Sequence, residues 1–303
     1  MNFQLVLIRP EGFDFVESFR EVMEVLQEGL TTLGHTVTIC TNQVEPHAWP
    51  IIFGAHHLDA ESVDRLPAQS VIYNLEQLVP GYPWFSEAYL QLLGRFQVWD
   101  YSRQNIDYLS RAGRTCPLVY LPFGYSPCLS RIKPIIEEDV DVLFFGVHTE
   151  RRLSALTAIA ERGLNVVCLR DVWGTERDAW IARAKVVVAI RQTDGGRFED
   201  VRVIFLLANA KAVVSETLIG EVFPVPLQGA LCAAAYDELV DACERLVGDA
   251  NERAALRHRA IAAAKAELLQ AQPWISRAVE NLVALGFDDH LRNQLYGPAR
   301  CFR

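Results

Sequence analysis

The chain has 303 residues, half of them hydrophobic and 22% charged, which leaves room for two ordinary domains with cores of their own and excludes a disordered chain. A formal net charge of −9 speaks against a nucleic-acid partner, because phosphate backbones need a basic face. The seven cysteines are scattered and never spaced CxxC, so free thiols in a reducing compartment are expected rather than zinc sites or a disulfide framework. The N-terminal apolar run lacks the flanks of a signal peptide, and no stretch approaches the roughly 18 apolar residues that span a bilayer. A cytoplasmic protein is expected, with peripheral membrane contact left open.

Residues 3–8 (FQLVLI) form an apolar run that ends at Arg9-Pro10-Glu11-Gly12, the pattern of a buried strand and a loop. Phe15, Phe19, Val22, Leu26, Leu30 and Leu33 then share one helical face, closed by Gly34, and residues 35–40 (HTVTIC) read as the next strand. This β-loop-α-β unit implies parallel pairing. Short runs rich in β-branched and aromatic residues continue it at 50–53, 70–73, 96–99 and 117–121. Two prolines and a cluster of charges over 126–139 read as a linker. Beyond it the alternation restarts, with strands expected at 140–145, 165–169, 185–190 and 212–215. Helices are expected over 151–162, around 178–183 and over 199–209. An alanine-rich helical stretch (237–269) and a helix over 275–285 follow. The outline is α/β, with two Rossmann-like, doubly wound domains. The first is expected over 1–125, joined by a helix and tail (274–303) that cross back to it, and the second over 138–273.

Three stretches carry a resemblance: Tyr120–Tyr125 (YLPFGY), Val142–Arg152 (VLFFGVHTERR) and Phe198–Glu216 (FEDVRVIFLLANAKAVVSE). They resemble the nucleotide-sugar-binding domain of GT-B glycosyltransferases, above all the bacterial spore-coat-maturation-type group. The resemblance implies two facing Rossmann-like domains, a nucleotide-sugar donor held by the C-terminal half and an acceptor of unknown identity held by the N-terminal half. It implies no cofactor and no metal, since GT-B enzymes stabilise the leaving diphosphate with side chains and helix dipoles. Phe205 stands where the retaining signature has its second glutamate, while Glu199 and Arg202 offer a different polar pair, so the stereochemistry stays open. A GT-B-like binding or partner protein and a nucleotide-sugar 2-epimerase are the alternatives.

Within that frame, Gly146 and His148 lie in a strand-to-helix turn whose free N–H groups suit a diphosphate. Arg151 and Arg152 oppose the helix dipole there, which points either to a bound phosphate or to pairing with glutamates. Glu199, Arg202 and Asn209 share a narrow polar stripe on an apolar helix, read as ligands of the donor or as a pair that serves packing alone. Trp173 and Arg191 lie in loops that follow strands, placed to enclose a base and phosphates. For the acceptor's proton the candidates sit at strand ends: Glu11 and Asp14 after the first strand, His57 and His56 after the third, and Glu76 after the fourth, with Asn74, Gln77, Tyr82, Trp84 and Phe85 beside Glu76. An aromatic plug in a proline-bent loop is the competing reading of that neighbourhood.

Overall fold

In the computed structural model, which describes residues 1–113, 116–284 and 300–301, two parallel sheets form, one in each half of the chain. The first unit comprises Met1–Phe123 together with the chain from Ala271 onward, and the second is Gly124–Gln270. In the first, β1 (Asn2–Leu7), α1 (Arg20–Thr32), β2 (Thr36–Thr41), the short β3 (Gln43–Val44) and β4 (Trp49–Phe53) come in order. They are followed by α2 (Ala60–Arg65), β5 (Val71–Asn74), α3 (Glu87–Leu93), β6 (Gln97–Asp100), α4 (Arg103–Arg111) and β7 (Leu118–Tyr120). The sheet runs β2-β1-β4-β5-β6-β7.

The second unit holds β8 (Val140–Phe145), α5 (Glu150–Glu161), β9 (Val166–Leu169), α6 (Gly174–Arg183), β10 (Ala184–Ala189) and α7 (Asp200–Ala208). It continues with β11 (Ala212–Glu216), β12 (Cys232–Ala234), α8 (Leu239–Gly248) and α9 (Ala250–Ala264), and its sheet runs β12-β11-β10-β8-β9. Apolar runs rather than alternation mark its inner strands because both faces are covered. Val142, Leu143 and Phe144 of β8 and Val186, Val187 and Val188 of β10 are all 0% exposed.

The chain then returns to the first unit as α10 (Gln272–Ala284) and β13 (Arg300–Cys301), the latter pairing antiparallel with β3. Gly29 makes the docking of α10 on α1 possible: a Cβ there would collide with Ile275 Cδ1, and its carbonyl accepts from Gln272 Nε2 at 3.2 Å. The C-terminal helix therefore crosses back, as expected. Of the tail 274–303 assigned to the first domain, residues 285–299, 302 and 303 lie outside the described residues.

Several local readings change. The stretch 126–139 is no free linker but belongs to the second unit. Arg131 and Ile132 N–H groups both donate to Asn209 Oδ1, and Asn209 Nδ2 donates to Leu129 O. Asn209 is thus spent on that segment and on Phe205 O, and leaves the polar stripe. The alanine-rich stretch is two helices, because Asp249 accepts from Glu252 N at 2.8 Å and starts α9 afresh. β5 and β6 each run on to a polar residue, Asn74 and Asp100, which pair in register. Among the described residues, no helix is long and apolar enough to cross a membrane, and Cys40, Cys116, Cys128, Cys168, Cys232 and Cys243 are free thiols.

Candidate functional site

In the second unit Gly146, His148, Arg151, Arg152, Arg191, Glu199 and Arg202 lie after β8 and β10 and at the first turns of α5 and α7, whereas Trp173 follows β9. Gly146 follows β8 at φ 134°, and a Cβ there would lie 2.6 Å from Arg202 Nη2. Only glycine permits both that backbone and that approach. Thr149 caps α5, its hydroxyl accepting from Arg152 N at 3.3 Å. His148 Nε2 lies 3.1 Å from Cys168 Sγ at the end of β9.

The two arginines that oppose the dipole of α5 are compensated by the chain's own groups. Arg152 is 2% exposed. Its Nε donates to Ile190 O at 2.8 Å, its Nη1 to Val147 O at 2.9 Å, and its Nη2 to Glu199 Oε1. Arg151 meets Glu216 in a bidentate pair (2.8 and 2.5 Å), reaches Asp194 at 2.5 Å and lies over the Tyr236 ring at 3.9 Å. Burial opposes its charge, but the Glu216 and Asp194 carboxylates outweigh this and raise its pKa above the ordinary arginine value. Pairing with glutamates, one of the two readings open in the sequence, is what these guanidiniums do; the partners are remote in the chain.

Arg202 is different. It pairs with Glu199 through Nη1. Its Nε is buried without a hydrogen bond, and its plane lies over Phe144 and Phe145 at 5.4 and 4.9 Å. Burial pushes its pKa down to about 10, with Arg152 and Arg177 adding repulsion against the pull of Glu199. Glu199 is the N-cap residue of α7 by position but caps nothing, because its carboxylate turns to Arg152 and Arg202. Arg191, after β10, donates its N–H to Glu216 at 2.8 Å and holds Gly196 O and Glu221 with its two Nη groups. Trp173 is partly buried at the N-terminus of α6. Two carboxylates escaped the sequence reading. Glu216 ends β11 at 2% exposure. Asp200 opens α7, its pKa pushed up to about 7 by burial and by Glu221. A carboxylate closing an apolar strand (VVSE) was the available signal for the first.

In the first unit the structure brings His56, His57 and Glu76 together. His56 Nδ1 lies 3.7 Å from Glu76 Oε1, and the two imidazoles are 4.0 Å apart. Trp84 packs on both, at 4.6 and 4.9 Å, and Phe13 meets His57 at 4.8 Å. Burial pushes Glu76 up to about 7 and His56 down to about 3, the second helped by His57; His57 is lowered by burial too. The loop carrying Glu76 is held by a buried polar network of which the sequence marked only Asn74. Asn74 and Asn105 both donate to Glu76 O (3.1 and 2.9 Å) and both reach Asp100 (2.6 and 3.0 Å), while Tyr89 donates to Asn74 Oδ1 at 2.8 Å. Asn74, Asp100 and Asn105 are 0% exposed, so the network is a fully paired buried scaffold. Among the described residues, no three His, Cys, Asp or Glu side chains gather as a metal site.

No family model matches the sequence. Two curated relatives are uncharacterised proteins of Acanthamoeba polyphaga mimivirus. L140 is 26% identical over 247 residues, 78% of this chain and 76% of that protein. L138 is 28% identical over 141 residues, 44% of this chain, which thus spans only 16% of that relative's length. Among solved structures, the sucrose-phosphate synthase of Thermosynechococcus elongatus is similar over 94% of this chain and 99% of its own, with a TM-score of 0.57 at 14% identity. Anabaena HepE in complex with UDP and glucose covers 93% and 100%, with a TM-score of 0.57 at 14% identity. WaaG, a glycosyltransferase involved in lipopolysaccharide biosynthesis, covers 92% and 99%, with a TM-score of 0.56 at 13% identity. The chain has the GT-B fold that these proteins share.

Proposed function

We propose that this chain is a glycosyltransferase that moves a sugar from a nucleoside diphosphate donor to an acceptor hydroxyl, and that its donor site is the Gly146–Arg202 corner of the second unit. The observation that carries the reading is Arg202, a buried guanidinium with an unused Nε, set against a glycine that leaves its side open at the N-terminal turn of α5. Backbone N–H groups and a cation converging there suit a diphosphate. The likeness to HepE, solved with UDP and glucose, supports a uridine nucleotide. Kinship with the spore-coat-maturation-type transferases is part of the same proposal.

In the transfer the bond between the anomeric carbon and the diphosphate oxygen breaks, and the leaving diphosphate takes the electron pair. Arg202 and the helix N-terminus offset the charge that develops on it. The acceptor oxygen forms the new bond, and its proton passes to Glu76, whose pKa of about 7 suits a base at neutral pH. Neutral His56 stands 3.7 Å from that carboxyl, placed to polarise it.

The test is a panel of UDP-, GDP-, dTDP- and CMP-sugars followed by thermal shift and by release of the nucleotide, a diphosphate from the first three and CMP from the last. Binding of a UDP-sugar with turnover is expected, and Arg202→Ala should weaken UDP binding by at least tenfold, about 1.4 kcal/mol. No response to any donor refutes the proposal. A binding-only protein is favoured by one observation, the neutralisation of Arg151 and Arg152 by the chain's own carboxylates. Tight donor binding without turnover is its signature, whereas interconversion of the donor sugar would mark an epimerase.

A further inference from the structure

The acceptor's chemistry follows from what the aromatic corner of the first unit leaves unsatisfied. Phe13, His57 and Trp84 are each partly buried, and their rings meet nearly edge to face: Phe13 to His57 at 66°, Phe13 to Trp84 at 84°, His57 to Trp84 at 76°. Such a corner shows flat apolar faces to whatever enters it. Beside those faces stand three groups with hydrogen-bonding capacity to spare. The carboxyl of Glu76 has His56 Nδ1 at 3.7 Å, beyond hydrogen-bond reach, and the side chain is 13% exposed. Neither imidazole makes a hydrogen bond among the described residues; His57 is half-buried, His56 nearly fully so.

The surroundings favour an uncharged occupant. Desolvation holds both imidazoles toward the neutral form and Glu76 toward its protonated form, so each group rewards a neutral hydrogen-bonding partner more than an ion. Arg9, which follows β1 in the same unit, is committed to Asp14 and Glu17. An apolar face that stacks, joined to hydroxyls that donate and accept at its rim, is the surface of a sugar ring. An aliphatic chain would leave the carboxyl and imidazoles unsatisfied, and an acceptor phosphate would stand against Glu76 once it ionises.

We infer that the Phe13–His57–Trp84 corner with Glu76 is a binding site for an uncharged glycosyl ring, stacked on Trp84, so that the acceptor of the proposed transfer is itself a carbohydrate. The inference rests on the reading of the chain as a glycosyltransferase, and ligand-observed NMR tests it without turnover. Methyl glucoside, methyl galactoside, methyl mannoside and glucose 1-phosphate are each added to the full chain, and saturation transfer to their ring protons is measured. At least one methyl glycoside should receive transfer that falls at least fivefold in Trp84→Ala and in Glu76→Gln. Trp84→Phe, which keeps a stacking face, should retain part of it, and Arg202→Ala all of it. Unchanged melting of each variant excludes loss by unfolding, and Trp84→Phe serves alone where Trp84→Ala does not fold. Transfer equal in parent and Trp84 variants, stronger transfer to glucose 1-phosphate than to the methyl glycosides, or none to any of them overturns the inference. Titration of the same samples with the four donor sugars separates the two claims: donor binding without glycoside contact refutes only the sugar site, and glycoside contact without binding of any donor refutes only the transferase.

Discussion

Replacing Glu199 with glutamine keeps its volume and removes the carboxylate that two buried arginines share. Arg152 Nη2 and Arg202 Nη1 both donate to it, and their side chains are 3% and 14% exposed. Among the described residues neither guanidinium reaches a second carboxylate. Taking one partner from a buried ion pair costs about 3–5 kcal/mol. The glutamine carbonyl keeps one hydrogen bond to an arginine, worth about 1 kcal/mol, which leaves a net loss of about 2–4 kcal/mol. For a unit of this size that lowers Tm by roughly 5–15 °C. The variant should also gain anion dependence, because Arg152 and Arg202 then offer an open cationic pair. Pyrophosphate at 100 times its dissociation constant would return about 2.7 kcal/mol. Differential scanning fluorimetry in anion-poor buffer, with and without pyrophosphate, reads both effects. A Tm within 2 °C of the parent (a drop worth roughly 1 kcal/mol or less), indifferent to pyrophosphate, would refute the claim that Glu199 neutralises these arginines.

Three further outcomes follow from single residues. Glu76 titrates near 7 in the fold against 4.5 as a free side chain, so burial favours its protonated form, and the stability this contributes is full below about pH 4.5 and lost as pH rises through 7. Glu76→Gln should therefore match the parent near pH 4.5 and exceed it by about 3 kcal/mol above pH 7, measured by urea melts at each pH; parallel curves would disprove burial of the carboxyl. His56, depressed to about 3, loses its contribution as pH falls from 6.5, equally in both proteins, and so drops out of the difference. Gly146→Ala places a Cβ 2.6 Å from Arg202 Nη2 at a φ of 134°, which should cost about 1–3 kcal/mol of stability and at least tenfold in UDP affinity by calorimetry; parent-like binding would remove the corner from the donor site. Ala210 closes α7 at φ 54°, a conformation that costs a non-glycine residue about 1 kcal/mol, so Ala210→Gly should raise Tm by roughly 2–4 °C, and no gain would show that the turn is unstrained.

The layout was legible because its signals are local. Apolar runs of strand length and the restart of the alternation at Val140 each lie within a dozen residues and became the expected strands, while the helical face from Phe15 to Leu33 became a 3-10 helix over Asp14–Phe19 that runs into α1. Positions of site residues were legible in the same way, since Gly146, Arg191, His56 and Glu76 all follow strands of a parallel sheet, where ligand-facing loops must emerge. Their relations were not. Nothing in VHTERR says that Arg151 will spend its guanidinium on Glu216, 65 residues on, or Arg152 on Glu199, 47 residues on. Nor does FGAHH say that His56 will face Glu76 and pack against Trp84.

By itself the sequence determined where most strands of the two sheets lie and which helices alternate with them, because burial on one or two faces imposes a period that a short window records. Only the tertiary structure decided which charges are spent and which are spare. Charge compensation acts over a few ångströms of space regardless of separation along the chain, and desolvation by residues remote in sequence moves Glu76 and Arg202 away from their ordinary pKa values.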